Sequence, residues 1–130
     1  LLGPKAMKRI QECKALGFTR GCKVIRNQHI FKAFIDNPTN IGTVTQFLMH
    51  MMPGYTQYYP MLVRFDSLDG SQHFFPMDHT EMTLYHKARV DLGLPEYPTE
   101  DMRSAIISDI LREKNGVLPF RPQLPYYQGD

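Results

Sequence analysis

Tryptophan is absent from this 130-residue chain, cysteine occurs only twice, and the apolar runs are short. The longest of them, Phe47–Met52, is broken by His50 and falls far below the ~20 residues that a membrane-spanning helix needs, so no membrane span is expected. Cys13 and Cys22 have the spacing of neither a CxxC redox pair nor a zinc-ligand pair, and two cysteines do not make a secreted disulfide framework. A reducing compartment is the expectation. The glycines are scattered singly, so no phosphate-cradling loop is present, and no GxSxG turn presents a nucleophile.

The possible ligand residues His73, Asp78, His79, Glu81 and His86 are dense but poorly spaced. His79 and His86 lie seven apart, and the i, i+4 pair that helical zinc sites use is missing. They are read as solvated helix residues, and Met49, Met51 and Met52 as core. No enzyme activity, cofactor, metal or small-molecule substrate is expected.

What the chain does have is charge asymmetry. Residues 1 to 35 hold Lys5, Lys8, Arg9, Lys14, Arg20, Lys23, Arg26 and Lys32 against Glu12 alone, a net +7, which leaves −5 for the rest. A basic stretch of this density is a candidate phosphate-binding surface, and the acidic remainder a candidate protein-facing one.

The length suits one domain with tails. Met7, Ile10 and Cys13 at helical spacing predict an amphipathic helix over residues 5–16, stopped at Gly17. CKVIR and HIFKAFI predict a hairpin of strands at 22–26 and 29–36, the second of them central. Asn37-Pro38-Thr39-Asn40 predicts a turn, and Val44, Phe47, Leu48 and Met51 predict a helix from Thr43 that Pro53 ends. Met61–Phe65 alternates as a strand, Asp69-Gly70 signals a primed hairpin turn, and Gln72–Met77 is its partner, with Pro76 at an end or an edge. Asp78 and Glu81 form a capping-box pattern for a helix running to Gly93. Thr99 opens a last helix with Met102, Ile106, Ile110 and Leu111 as its apolar stripe. The proline-rich end cannot be regular structure and is expected to be an extended arm, with Phe120, Arg121, Tyr126 and Tyr127 meeting a partner protein or RNA.

The stretch from Asn37 to Pro60, with Gly42, Phe47, Pro53 and Pro60, resembles the small thioredoxin-like domain shared by certain mitochondrial ribosomal proteins and an accessory subunit of respiratory complex I. In that family a strand leads through a glycine-containing turn into a helix bearing a phenylalanine, which closes on a proline and, seven residues later, another. The basic run from Lys8 to Asn37 and the stretch from Leu68 to Leu92 are similar to its small-subunit ribosomal member. The resemblance covers roughly residues 8 to 93. The missing CxxC agrees with a family that keeps the shape without the redox chemistry.

The resemblance implies an α+β fold, a thioredoxin-like mixed sheet flanked by helices, with an added helix and arm. The implied organisation is a basic N-terminal helix over 1–20, a thioredoxin-like domain over 21–93, an appended helix over 94–115 and an arm over 116–130. It further implies a non-catalytic constituent of the mitochondrial small ribosomal subunit, in the matrix. There Lys5, Lys8, Arg9, Lys14, Arg20, Lys23, Arg26 and Lys32 would contact rRNA phosphates, which positions without reading sequence. Neighbouring mitoribosomal proteins would be its other partners. The alternatives within the family are an accessory subunit of a respiratory complex and a large-subunit ribosomal protein. A free thiol oxidoreductase, a different class altogether, would depend on Cys13 or Cys22.

Overall fold

The computed structural model describes residues 3–114, and the expected arm, with Phe120, Arg121, Tyr126 and Tyr127, lies outside the described residues. Pro4–Ala15 forms helix α1, as the apolar spacing predicts. Proline opens it where a missing N–H costs nothing, and Ala6, Ile10 and Cys13 are buried along one side. The helix stops where Gly17 takes φ +98°, a conformation that strains any residue with a Cβ. Lys23–Arg26 follows as strand β1.

The strand expected over residues 29–36 does not form. Asn27–His29 is a 3-10 turn, and the Ile35 N–H bonds the Phe31 carbonyl at 2.8 Å, so the chain turns out of the sheet. Both edges of β1 are already taken, one by β2 (Ile41–Phe47) and the other by β5 (Met82–Leu84). The helix expected from Thr43 does not form either, because that segment is β2. Val44 and Phe47 fit a helical period, but Thr43, Val44 and Thr45 are consecutive β-branched residues that pack best on a pleated surface. Gly42 serves close packing here rather than a swing into a helix. A Cβ at that position would fall 2.6 Å from Val63 Cγ1 and 2.8 Å from Phe65 Cζ.

β3 (Met61–Asp66) and β4 (Gln72–Met77) form the hairpin that Asp69-Gly70 signals. Its turn is not a primed one, since only Gly70 has positive φ. Ser67 and Ser71 close a three-residue loop, in which Asp69 Oδ1 accepts from the Ser71 N–H at 2.9 Å. The capping box of Asp78 and Glu81 is present, but it closes a 3-10 turn, His79–Glu81, ahead of β5. Helix α2 therefore starts only at Tyr85 and runs to Asp91. Helix α3, Glu100–Lys114, begins where expected, with Thr99 Oγ1 accepting from the Met102 N–H at 3.2 Å. Of its expected stripe, Ile106 is buried, Met102 and Ile110 are half-buried and Leu111 is exposed.

The strands lie in the order β4-β3-β2-β1-β5, with every neighbouring pair antiparallel. The fold is α+β with an open five-stranded antiparallel sheet, not the mixed sheet expected. Parallel neighbours need a crossover connection, and the segment expected to supply that helix is itself a strand. β4 is an edge, which is where Pro76, having no N–H to donate, is tolerated.

Residues opposed across antiparallel strands share a face, so the register divides the core in two. On one side Val24, Val44, Met61, Val63, Met77 and Met82 meet Cys13 of α1 and Phe18. On the other, Ile25 packs with Ile35, Tyr85 and Ala88, and with Ile41 and Leu92 at the margin. Helix α1 and the sheet thus share one core.

Candidate functional site

The fold does not gather the eight expected cations on one surface. Lys5, Lys8 and Lys14 are exposed on α1, to one side of the sheet. Lys23 precedes buried Val24, and alternation along β1 sends it to the opposite side, where its Nζ donates to Thr43 Oγ1 at 2.7 Å. Arg20 is exposed, its Nε donating to the Thr45 carbonyl at 3.3 Å. Lys32 is half-buried in the turn segment that left the sheet.

Arg9 and Arg26 are engaged within the fold. The Arg26 guanidinium lies 4.1 Å from the centroid of Phe65 and 4.8 Å from that of Phe75, a cation held between rings. Burial lowers its pKa from the ordinary value, with the Glu81 charge acting the other way. Arg9 bonds Asp78 Oδ1 at 2.5 Å and sits 5.8 Å from the Tyr58 ring centroid. Its pKa is raised, chiefly by that bond to Asp78.

Asp78 is therefore no solvated helix residue. Its carboxylate also caps the 3-10 turn through the Thr80 N–H and hydroxyl. Burial opposes its charge, but the bonds from Thr80 and Arg9 outweigh that and bring the carboxyl down to about 2. His79 Nδ1 lies 3.3 Å from Asp78 Oδ1 and 4.0 Å from Cys13 Sγ. The ligand atoms of Cys13, Asp78 and His79 all fall within 4.8 Å of one another. By residue type this set suits zinc. The Arg9 cation already engages the same carboxylate, and burial, followed by the Asp78 charge, pushes the Cys13 thiol up to about 11. The group joins α1 to the start of the 3-10 turn. Cys22, half-buried, has its pKa raised by burial as well.

His86 and His73, the other histidines of the possible ligand set, make local contacts. His86 Nδ1 is 2.9 Å from the Glu96 carbonyl, with its ring 4.2 Å from that of Tyr97, and His73 lies 3.4 Å from Ser71 Oγ. A cavity of about 410 Å³ between α3 and the sheet is lined by Ile41, Tyr85, His86, Tyr97 and Ile107, with Lys23 and Arg103 also at its wall. Below it lies a cluster that the sequence reading missed. Arg89 Nη1 donates to Asp36 Oδ2, Tyr85 Oη donates to Asp36 Oδ1 at 2.6 Å, and Arg89 Nε donates to the Pro95 carbonyl at 2.7 Å. Burial, followed by the bond to Asp36, holds the Tyr85 hydroxyl well above the usual phenol range. Asp36 and Arg89 are 53 residues apart, and only the fold brings them together.

The methionines expected in the core are not there. Met51 is exposed, and Met49 and Met52 are half-buried, in the connection between β2 and β3. Tyr58 pins that connection by donating to the Leu48 carbonyl at 2.6 Å. Among the described residues, no helix is long and apolar enough to cross a membrane. No protein-family model, no curated protein and no solved structure matches this chain.

Proposed function

We propose that this chain is a non-catalytic constituent of a ribonucleoprotein particle, the mitochondrial small ribosomal subunit, to which it binds through rRNA phosphates. The observation that carries the reading is that Lys5, Lys8, Lys14, Arg20 and Lys23 are exposed and in no ion pair among the described residues. Five exposed cations free of acidic partners among the described residues are suited to counterion release on a phosphate backbone, although Lys14 also lies 5.1 Å from the Phe47 ring centroid. Arg9 and Arg26 leave the interface and become parts of the fold. The family resemblance enters only as support for the particle and its compartment. The mixed sheet of a thioredoxin-like domain is not what these strands form, so the reading rests on charge and exposure.

An accessory role in a respiratory complex is the second reading, favoured by Phe31 and Phe34, which stand 57% and 50% exposed with their rings 6.2 Å apart. Gradient sedimentation separates the two. A ribosomal protein travels with small-subunit rRNA and is released by RNase. Lys5→Gln, Lys8→Gln and Lys14→Gln together are expected to weaken that association and to flatten its salt dependence by about 0.9 per lost phosphate contact. Sedimentation with a membrane complex regardless of RNase would replace the first reading with the second.

A further inference from the structure

The two faces of the sheet are covered unequally. On the α1 side the rings of β3 and β4 are engaged, Phe75 with Phe65 at 6.0 Å and with Arg26. The other face is covered near β1 and β5 by Ile35, Tyr85 and Ala88, while among the described residues its β2–β4 half is largely uncovered, with Pro76 buried and Leu62 half-buried at one end. There Gln46, Gln72 and Phe74 are exposed and Thr43 and Arg64 half-buried. Register places four residues of this face in one cross-strand row, Lys23 opposite Thr43, Thr43 opposite Arg64, and Arg64 opposite Phe74. With strands about 4.8 Å apart, the row runs for about 14 Å. Phe74 is 48% exposed and has no ring or cation partner among the described residues.

Arg20, Thr43, Thr45 and Arg64 line a groove of about 490 Å³ beside the row. The cations of the face outnumber its acids, with Arg20, Lys23 and Arg64 against Asp66. Asp66 holds Arg64 through Nε at 3.0 Å, and the pair is 30% and 50% exposed, where water screens it. The terminal nitrogens of Arg64 donate no hydrogen bond among the described residues.

We propose that this open half-sheet is a platform for single-stranded RNA, on which an unpaired base stacks against Phe74 and the flanking phosphates lie on Arg64, Lys23 and Arg20. The inference rests on the RNA-binding reading above and adds Arg64 and Phe74 to Arg20 and Lys23 of the basic N-terminal stretch as one site. An exposed aromatic on an open sheet, with guanidinium and ammonium groups along the same row, supplies the two interactions that unpaired strands use: ring stacking, which tolerates any base, and phosphate attraction. A duplex offers the phosphates but not the ring faces. Binding at Phe74 is therefore selective for unpaired strands.

The test uses the full chain and a fluorescent oligouridylate, read by anisotropy over a range of salt. Phe74→Ala is expected to weaken binding by about ten- to a hundredfold with an unchanged salt slope, and Phe74→Tyr to restore it. Arg64→Gln is expected to lower the salt slope by about one. Equal affinity of wild type and Phe74→Ala for the oligonucleotide, with Phe74→Tyr confirming the fold, overturns the proposal. So does a duplex of the same length that loses as much on Phe74→Ala, or concentration-dependent self-association abolished by Phe74→Ala, which makes a second copy the occupant. Sedimentation of the same variants with the particle keeps the two readings apart. A wild-type protein that follows rRNA but binds oligouridylate without Phe74 sinks only the platform. One that needs Phe74 for oligouridylate but never follows rRNA sinks only the ribosomal assignment.

Discussion

Two arginine–aspartate pairs join helices to the rest of this molecule, and they sit in opposite surroundings. Arg89–Asp36 is buried to 0% and 2% side-chain exposure and ties α2 to the turn that left the sheet. Arg9–Asp78 lies at the rim, at 38% and 12%, and ties α1 to the end of β4. In the buried pair each charge has lost its water and depends on its partner. At the rim, water reaches Arg9, and Thr80 still holds the Asp78 carboxylate when the arginine is missing. The same two residue types are thus a structural necessity in one place and an adjustable clasp in the other.

The largest effect is expected from Arg89→Met, which leaves Asp36 buried beside Tyr85 without its cation and costs about 3–5 kcal/mol. Chemical denaturation measures it, and adding Asp36→Leu is expected to return part of the loss, since the unpaired carboxylate goes while the Tyr85 hydroxyl and the Pro95 carbonyl lose their partners. Gly42→Ala comes next, at about 1–3 kcal/mol, because its methyl group would have to displace Val63 and Phe65 in the core between the strands. The comparison of the pairs predicts that the Arg89→Met loss adds to that of the rim pair without coupling, since they share no residue.

Asp78→Asn is expected to cost about 1 kcal/mol, because it keeps a capping oxygen for Thr80 but loses the charge paired with Arg9. Its mark is in acid. The folded carboxyl sits at about 2 against an ordinary 3.8, so its contribution to stability is full above about pH 4 and is lost as pH falls towards 2. Thermal melting between those values is expected to show a shallower acid limb in the variant. Arg9→Gln is the smallest, within about 1 kcal/mol, and is best read by alkylation of Cys13. Loosening the end of α1 is expected to speed labelling of that buried thiol severalfold, whereas an unchanged rate would mean that core packing alone holds the helix.

Local chemistry was legible where one residue dictates geometry. Gly17 ends α1, Asp69-Gly70 turns the chain, Pro76 marks an edge, and Asp78 with Glu81 makes a capping box. What failed was the choice between periods in short apolar runs. Val44, Phe47 and Leu48 satisfy a helical spacing, while Gly42 and Val44 alternate inwards as a strand, and only the neighbours β1 and β3 decide between them. Residues 29–36 read as a strand because nothing local shows that β5 will claim the free edge of β1. The site was legible as a charge total but not as a surface. The composition counts Arg9 and Arg26 with the lysines, and only long-range contacts with Asp78, Phe65 and Phe75 remove them. Phe74 gave no signal, since its value lies in standing opposite Arg64.

The pairing of β5 with β1 also sets an order of assembly. β2, β3 and β4 can each zip onto the strand before it through a connection local in sequence, whereas Val24 must find Leu84, 60 positions later. Until residues 82–84 arrive, β1 has an unsatisfied edge. The buried clasp comes later still, because Arg89 follows β5 along the chain. A growing chain cut short before residue 82 would expose that edge, and one ending between 85 and 88 would close the sheet yet leave Asp36 without its arginine. Closure of the sheet and of its buried clasp therefore depends on eight residues, 82 to 89, that bring the last strand and the buried cation together.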